Sequence, residues 1–131
     1  QPVRLIVGGR DGGPDGAPAE TRTARWPGGA LPPHNRSFAA AWADSALRRG
    51  IMLRPETPDS PRAPLYIVRG GRENTNTWWL ETIDLERIYR DLWPGGDIQR
   101  ARVVFIGLAV VAQPETATAA AAHVSGIRLS R

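Results

Sequence analysis

The stretch RVVFIGLAVVA, residues 102–112, decides how the chain is read: after its arginine it carries no charge and no side-chain hydrogen-bonding group. A run this apolar and this rich in β-branched residues is expected to be a strand covered on both faces. It is too short to cross a bilayer as a helix, which takes about 20 apolar residues. The stretch is therefore expected to be the buried central strand of a soluble domain, with the other elements arranged around it.

Bulk composition points the same way. The 131 residues suit one domain, residues 1–131, large enough to bury about two-thirds of the surface its unfolded chain exposes. The chain has 14 glycines and 12 prolines, well above the usual share of about 12%, which implies frequent turns and short elements. All 17 basic residues are arginine. They are scattered, as at Arg4, Arg22, Arg54, Arg69, Arg87, Arg100 and Arg128, whereas a nucleic-acid surface would gather them on one face and interleave aromatic rings. No nucleic-acid partner is expected. The absence of cysteine excludes disulfides and thiolate metal sites. There is no transmembrane run and no secretory signal. The chain opens at Gln1 directly before VRLIV, as it would if a signal or membrane anchor had been removed, and this sets an extracytoplasmic expectation, periplasmic or secreted.

Outward from residues 102–112, residues 3–7 read as a first strand, followed by a Gly/Pro-rich loop at 8–20. Asp11 and Asp15 in that loop are either solvated turn aspartates or calcium contacts; their spacing matches no EF-hand. TRTARW, residues 21–26, alternates like a half-exposed strand ended by residues 27–33. Residues 37–50 break the β pattern. Ser37 can cap a helix, Phe38, Ala41, Trp42 and Ser45 recur at helical spacing, and Gly50 stops it, so a three-turn amphipathic helix is expected there, with Phe38 and Trp42 plugging one end of the core.

Residues 51–54 read as a brief strand, and prolines 55, 58, 61 and 64 as a rigid exposed connection. LYIVR (65–69) and TWWLET (77–82) are expected to pair as a hairpin across a polar turn. Asp84 then caps a short helix with Leu85, Ile88, Tyr89 and Leu92 on one face and Pro94 at its end. Residues 119–124 and 127–129 are expected as closing strands. Seven or eight strands, two small helices at connections and no βαβ alternation imply a mainly-β fold, an antiparallel β-sandwich of jelly-roll type.

From Leu65 onward the order of elements is a hairpin strand, a Trp-rich strand, a helix with DLERIYRDLW, an apolar strand with Gly107 and Ala109, a threonine-bearing loop, a small-residue strand with Ala119 and Ala121, and a closing IRL. This resembles the last third of galactose-binding-like and carbohydrate-binding-module-like jelly rolls, in particular secreted bacterial families of unassigned function. The resemblance covers about half of the chain and implies a non-catalytic sugar-binding module. In those relatives the polar loop is often rich in aspartate and asparagine. Here it reads Gln113-Pro114-Glu115-Thr116-Ala117-Thr118, which puts any ion site carried by that loop in doubt.

The densest polar and aromatic cluster is Arg72, Glu73, Asn74, Thr75, Asn76, Thr77, Trp78 and Trp79. On a strand, neighbouring side chains point to opposite faces, so either one tryptophan is exposed or both are covered by other elements. An exposed tryptophan would offer a flat apolar platform to a sugar ring. Arg72, Glu73, Asn74 and Asn76 would offer donors and acceptors to its hydroxyls. His34 and His123 have no metal-ligand spacing and read as structural. Nucleophile motifs are missing around Ser45 and Ser60. Glu81 with Asp84, or Glu56 with Asp59, read as solvated or capping carboxylates rather than a glycosidase pair. No catalytic residue, metal or cofactor is expected.

Two functions of different class follow, with a third behind them. The first is a non-catalytic extracytoplasmic module binding a carbohydrate-like ligand through residues 72–79. The second is a structural or accessory subunit docked on a larger cell-envelope or membrane assembly, motivated by Trp26, Trp42 and Trp93 as spare aromatic surface. The third is a hydrolase with an unrecognised site.

Overall fold

A computed structural model describes residues 3–12, 25–26, 29–57, 62–110 and 122–130. The apolar start continues through its glycines, so that β1 is Val3–Arg10. A short ribbon, β2 (Arg25–Trp26) and β3 (Gly29–Ala30), precedes the longer β4 (Arg36–Ala43). A 3-10 turn at Ala46–Arg48 leads to β5 (Met52–Leu53), and then comes β6 (Leu65–Gly70). A second 3-10 turn at Arg72–Asn74, helix α1 (Leu85–Leu92) and β7 (Arg102–Val110) complete the described elements.

Five strands form one sheet in the order β5-β6-β4-β1-β7. The chain is mainly β, as expected. These five form one mixed sheet with a helix on one face, separate from the β2-β3 ribbon, and its pairing is not purely antiparallel: β4 and β6 run parallel. β6 is slotted between β4 and β5, although both precede it in the chain.

The first half of the expected helix at residues 37–50 is strand, and only a 3-10 turn at Ala46–Arg48 follows it. Phe38, Ala39, Ala40 and Ala41 are all buried at the centre of the sheet. Both edges of β4 are hydrogen-bonded, to β1 on one side and β6 on the other. Alanine's preference for helix is a fraction of a kcal/mol per residue, less than burial on two faces and pairing on two edges supply. Small side chains suit that central place.

Rows of side chains cross the sheet. Leu5 faces Ala40 and Leu108, Ala40 faces Tyr66, and Tyr66 faces Met52. The neighbouring row sets Val7 against Phe38 and Ile106. Val7, Phe38, Ala40 and Ile88 make the buried cluster, with Leu5, Met52, Tyr66, Val68, Ile83, Leu85 and Leu92 packed around it. These residues bring α1 onto one face of the sheet. The helix begins where its sequence says it should: Asp84 accepts a hydrogen bond from the Arg87 amide at 3.0 Å. Arg54, just past β5, donates to the Asp91 carbonyl at the far end of α1 and ties the helix to that edge of the sheet.

Residues 102–110 are a strand, but not the central one. Among the described residues β7 pairs on one side only, with β1, and Val103, Leu108 and Val110 are exposed. Phe105 instead covers Gly8, where an added Cβ would collide with the ring, and the edge of His34 packs against Phe105 at 5.0 Å. His34 is buried and hydrogen-bonded to the Pro32 carbonyl at 2.9 Å.

A β-bulge between Gly8 and Gly9 shifts the register so that Gly9 faces Val103. The extra residue turns Val103 towards the helix face. The expected hairpin partner at 77–82 is irregular backbone, and residues 122–130 carry no strand. Residues 21–24 and 111–121, which include part of the expected second strand and of the loop and strand after β7, lie outside the described residues, as does Asp15.

Candidate functional sites

Two places concentrate polar and aromatic side chains. The first is built on Asp11, directly after β1. Glycine-rich surroundings suggested a solvated turn, yet Asp11 is only 3% exposed. Its carboxylate accepts from Asn35 Nδ2 at 2.8 Å, Arg36 Nε at 2.9 Å and the Tyr89 hydroxyl at 2.6 Å. The Asp11 amide in turn donates to Asn35 Oδ1 at 3.1 Å. Arg36 lies over the Trp93 ring at 5.4 Å, and Trp93 packs on Tyr89 at 5.5 Å. Trp93 is thus an internal partner of the cluster and Trp42 is half-buried, so neither supplies the spare aromatic surface expected of them. The side chain of Trp26 is outside the described residues.

Burial alone would raise the Asp11 carboxyl, but the hydrogen bonds from Tyr89, Arg36 and Asn35 and the charge of Arg36 outweigh it, bringing it from 3.8 down to about 2. Burial, then the hydrogen bond to Asp11 and its negative charge, push the Tyr89 hydroxyl up from 10.0 to about 12. The fold therefore favours the Asp11 anion and the neutral Tyr89 phenol. For Asp11 the stabilisation is present above pH 3.8 and lost as the pH falls towards 2. For Tyr89 it is present below pH 10.0 and lost as the pH rises towards 12. Each loss is expected to be roughly 2 kcal/mol, and the two share one hydrogen bond, so they do not add. Urea unfolding across pH checks this: Tyr89→Phe should flatten the alkaline limb, and an unchanged limb in that variant would show that another group carries it.

The second place is the segment singled out by sequence. Trp78 is 72% exposed and Trp79 41%. Trp79 is fixed: its indole Nε1 donates to the Asn74 carbonyl at 2.9 Å, and the Arg69 guanidinium lies 4.0 Å from its ring centre. Arg69 is held by Glu81, with Nε 2.5 Å from Oε1. Glu81 is therefore a structural partner of Arg69, not a solvated group.

Asn74 spends its side-chain amide on the Gly70 carbonyl at 2.7 Å. The turn then passes through Asn76, whose φ of 58° is in the left-handed region asparagine tolerates. Arg72, Glu73 and Asn76 are exposed around it. Trp78 sits beside His123, ring centres 6.5 Å apart. Of the six expected ligand residues, Asn74 and Trp79 build the segment, while Trp78, Asn76, Arg72 and Glu73 face solvent.

No family model, curated protein or solved structure matches the chain. Among the described residues no helix is long and apolar enough to cross a membrane.

The buried Asp11 cluster is what sequence reading missed. The signal was present in Asn35-Arg36 and Tyr89, but nothing in a linear pattern joins positions 24, 25 and 78 residues away from Asp11.

Proposed function

We propose that the chain is a non-catalytic, extracytoplasmic recognition module that binds a carbohydrate-like ligand at residues 72–79. The observation that supports this reading is the exposure of Trp78 beside a tryptophan clamped by Arg69 and the Asn74 carbonyl. A sugar ring places its C–H face on an indole and its hydroxyls on neighbouring polar groups, and the neighbouring Trp79, already held in place, loses little entropy on binding. Arg72, Glu73 and Asn76 supply those polar groups. Trp78→Ala is expected to weaken retention on immobilised glycans roughly tenfold or more. Thermal stability should be nearly unchanged, because so exposed a ring buries little area. A wild-type chain that binds no glycan at millimolar concentration would overturn the reading.

A second reading, a subunit docked on a larger envelope or membrane assembly, is favoured by Leu80, which is 93% exposed next to Trp78, and by exposed Val124, Ile127 and Leu129. Large apolar side chains left exposed are common at surfaces that bind another protein. Leu80→Glu separates the two: it should abolish co-purification with an assembly while leaving glycan retention in place.

A further inference from the structure

A pocket separate from residues 72–79 lies between the helix face of the sheet and α1, with a volume of about 150 Å³. Its apolar wall includes Val7, Phe38, Leu85, Trp93, Ile98 and Val103. Three features of the fold make it. Gly9 lines the pocket without a side chain. The bulge between Gly8 and Gly9 brings Val103 opposite Gly9. The turn after α1 supplies Trp93 and Ile98.

Arg36 also lines this pocket. It is held on one edge by Asp11 through Nε and on its flat side by Trp93, and its side chain remains 30% exposed. The guanidinium also hydrogen-bonds the Tyr89 hydroxyl, and neither Nη group donates to a carboxylate or carbonyl among the described residues. The negative end of the pair is sealed away, because the Asp11 side chain is 1% exposed and also accepts from Asn35 and Tyr89. The acidic residue that does line the pocket, Glu86, has its carboxylate engaged by Arg90 at 2.7 Å. Arg102, a second lining arginine, turns its Nη1 back to the Gln99 and Ala101 carbonyls. The pocket thus presents an apolar hollow beside a pre-positioned guanidinium with donors to spare, and an apolar cavity of about this volume accommodates a benzene ring.

We propose that this pocket binds a small carboxylate bearing a ring or branched apolar group of benzene size, its carboxylate on the Arg36 Nη groups and its apolar body against Trp93 and Phe38. A planar guanidinium pairs with a carboxylate through two parallel hydrogen bonds, and such charge-assisted bonds are roughly twice as strong as neutral ones.

The charge is best varied on the ligand, because Arg36 also holds Asp11 and its replacement would disturb the fold. Titration calorimetry of the whole chain with benzoate should show saturable one-to-one binding. Benzamide, of the same shape without the charge, should bind at least about tenfold more weakly, and acetate, with the charge but no ring, should give no measurable heat. Val103→Phe fills the hollow at a partly exposed position and should weaken benzoate about tenfold or more with the melting temperature preserved. Equal affinity for benzoate and benzamide, no saturable benzoate heat, or full affinity in Val103→Phe would each overturn the proposal. None of these outcomes bears on Trp78.

Discussion

Asp11→Ala is expected to destabilise the chain by about 3–5 kcal/mol, enough to lower its melting temperature by roughly 10 °C or more. The substitution strands three donors at once: Arg36 Nε, the Asn35 amide and the Tyr89 hydroxyl all aim at the missing carboxylate. It also releases the link that joins the end of β1 to the start of β4 and to α1, since Tyr89 belongs to the helix. Most of the cost comes from leaving a partly buried guanidinium unpaired, so adding Arg36→Met to Asp11→Ala should recover part of the loss. Thermal melts of the two single variants and the double variant measure this. A single Asp11→Ala chain that melts within a couple of degrees of the native one would show that the cluster contributes little.

Gly70→Ala is expected to be nearly as damaging, at about 3 kcal/mol, for a steric reason. Gly70 is buried at the end of β6, where an added Cβ would collide with the Ser45 carbonyl and lie 2.8 Å from the Ala43 carbonyl oxygen. Both obstacles are backbone, so no side chain can swing aside. Relief requires β6 to move off β4, which breaks the hydrogen bond from the Gly71 amide to the Ala43 carbonyl at 3.1 Å. Gly95 is the control. Nothing lies within 4 Å of a Cβ built there, and Gly95→Ala should change stability by no more than about 0.5 kcal/mol. Equal unfolding free energies for the two variants in urea would refute the close packing of β4 and β6 at this point.

The parts of the fold that were legible in sequence are those with a local cause. Asp84 ahead of Leu85, Ile88, Tyr89 and Leu92, with Pro94 behind, specifies a capped amphipathic helix, and α1 occupies that range. The apolar runs of β1, β5 and β6 are likewise bounded by glycine or proline. A helical reading of β4 fails because alanine is mute: Phe38, Ala41 and Trp42 satisfy a helical period, but Phe38, Ala40 and Trp42 satisfy a strand period equally well, and burial on both faces settles the matter. The apolar character of β7 suggests a central strand, whereas its place in the sheet depends on where β1 finds room, with Phe105 over Gly8. TWWLET alternates like a strand but is drawn out of line by Trp79 bonding back to Asn74 and Glu81 pairing with Arg69.

The site at residues 72–79 was legible as composition, since adjacent tryptophans among polar residues force at least one ring into an awkward place. Which ring is clamped and which is presented depends on Arg69, whose guanidinium lies over Trp79. The parallel pairing of β4 with β6 left no trace at all, because the order of strands in a sheet is a property of the assembled whole.

β1 is the first of the described strands to leave the ribosome, and one of its edges is matched to the last: Val3 sits opposite Val110, and Arg10 opposite Arg102. A nascent chain that has made everything up to α1 therefore still carries a bare row of amides and carbonyls along an apolar strand, a template for sticking to its neighbours. Shortened versions for expression should retain residue 110, because a stop placed just after the helix would leave that row permanently open.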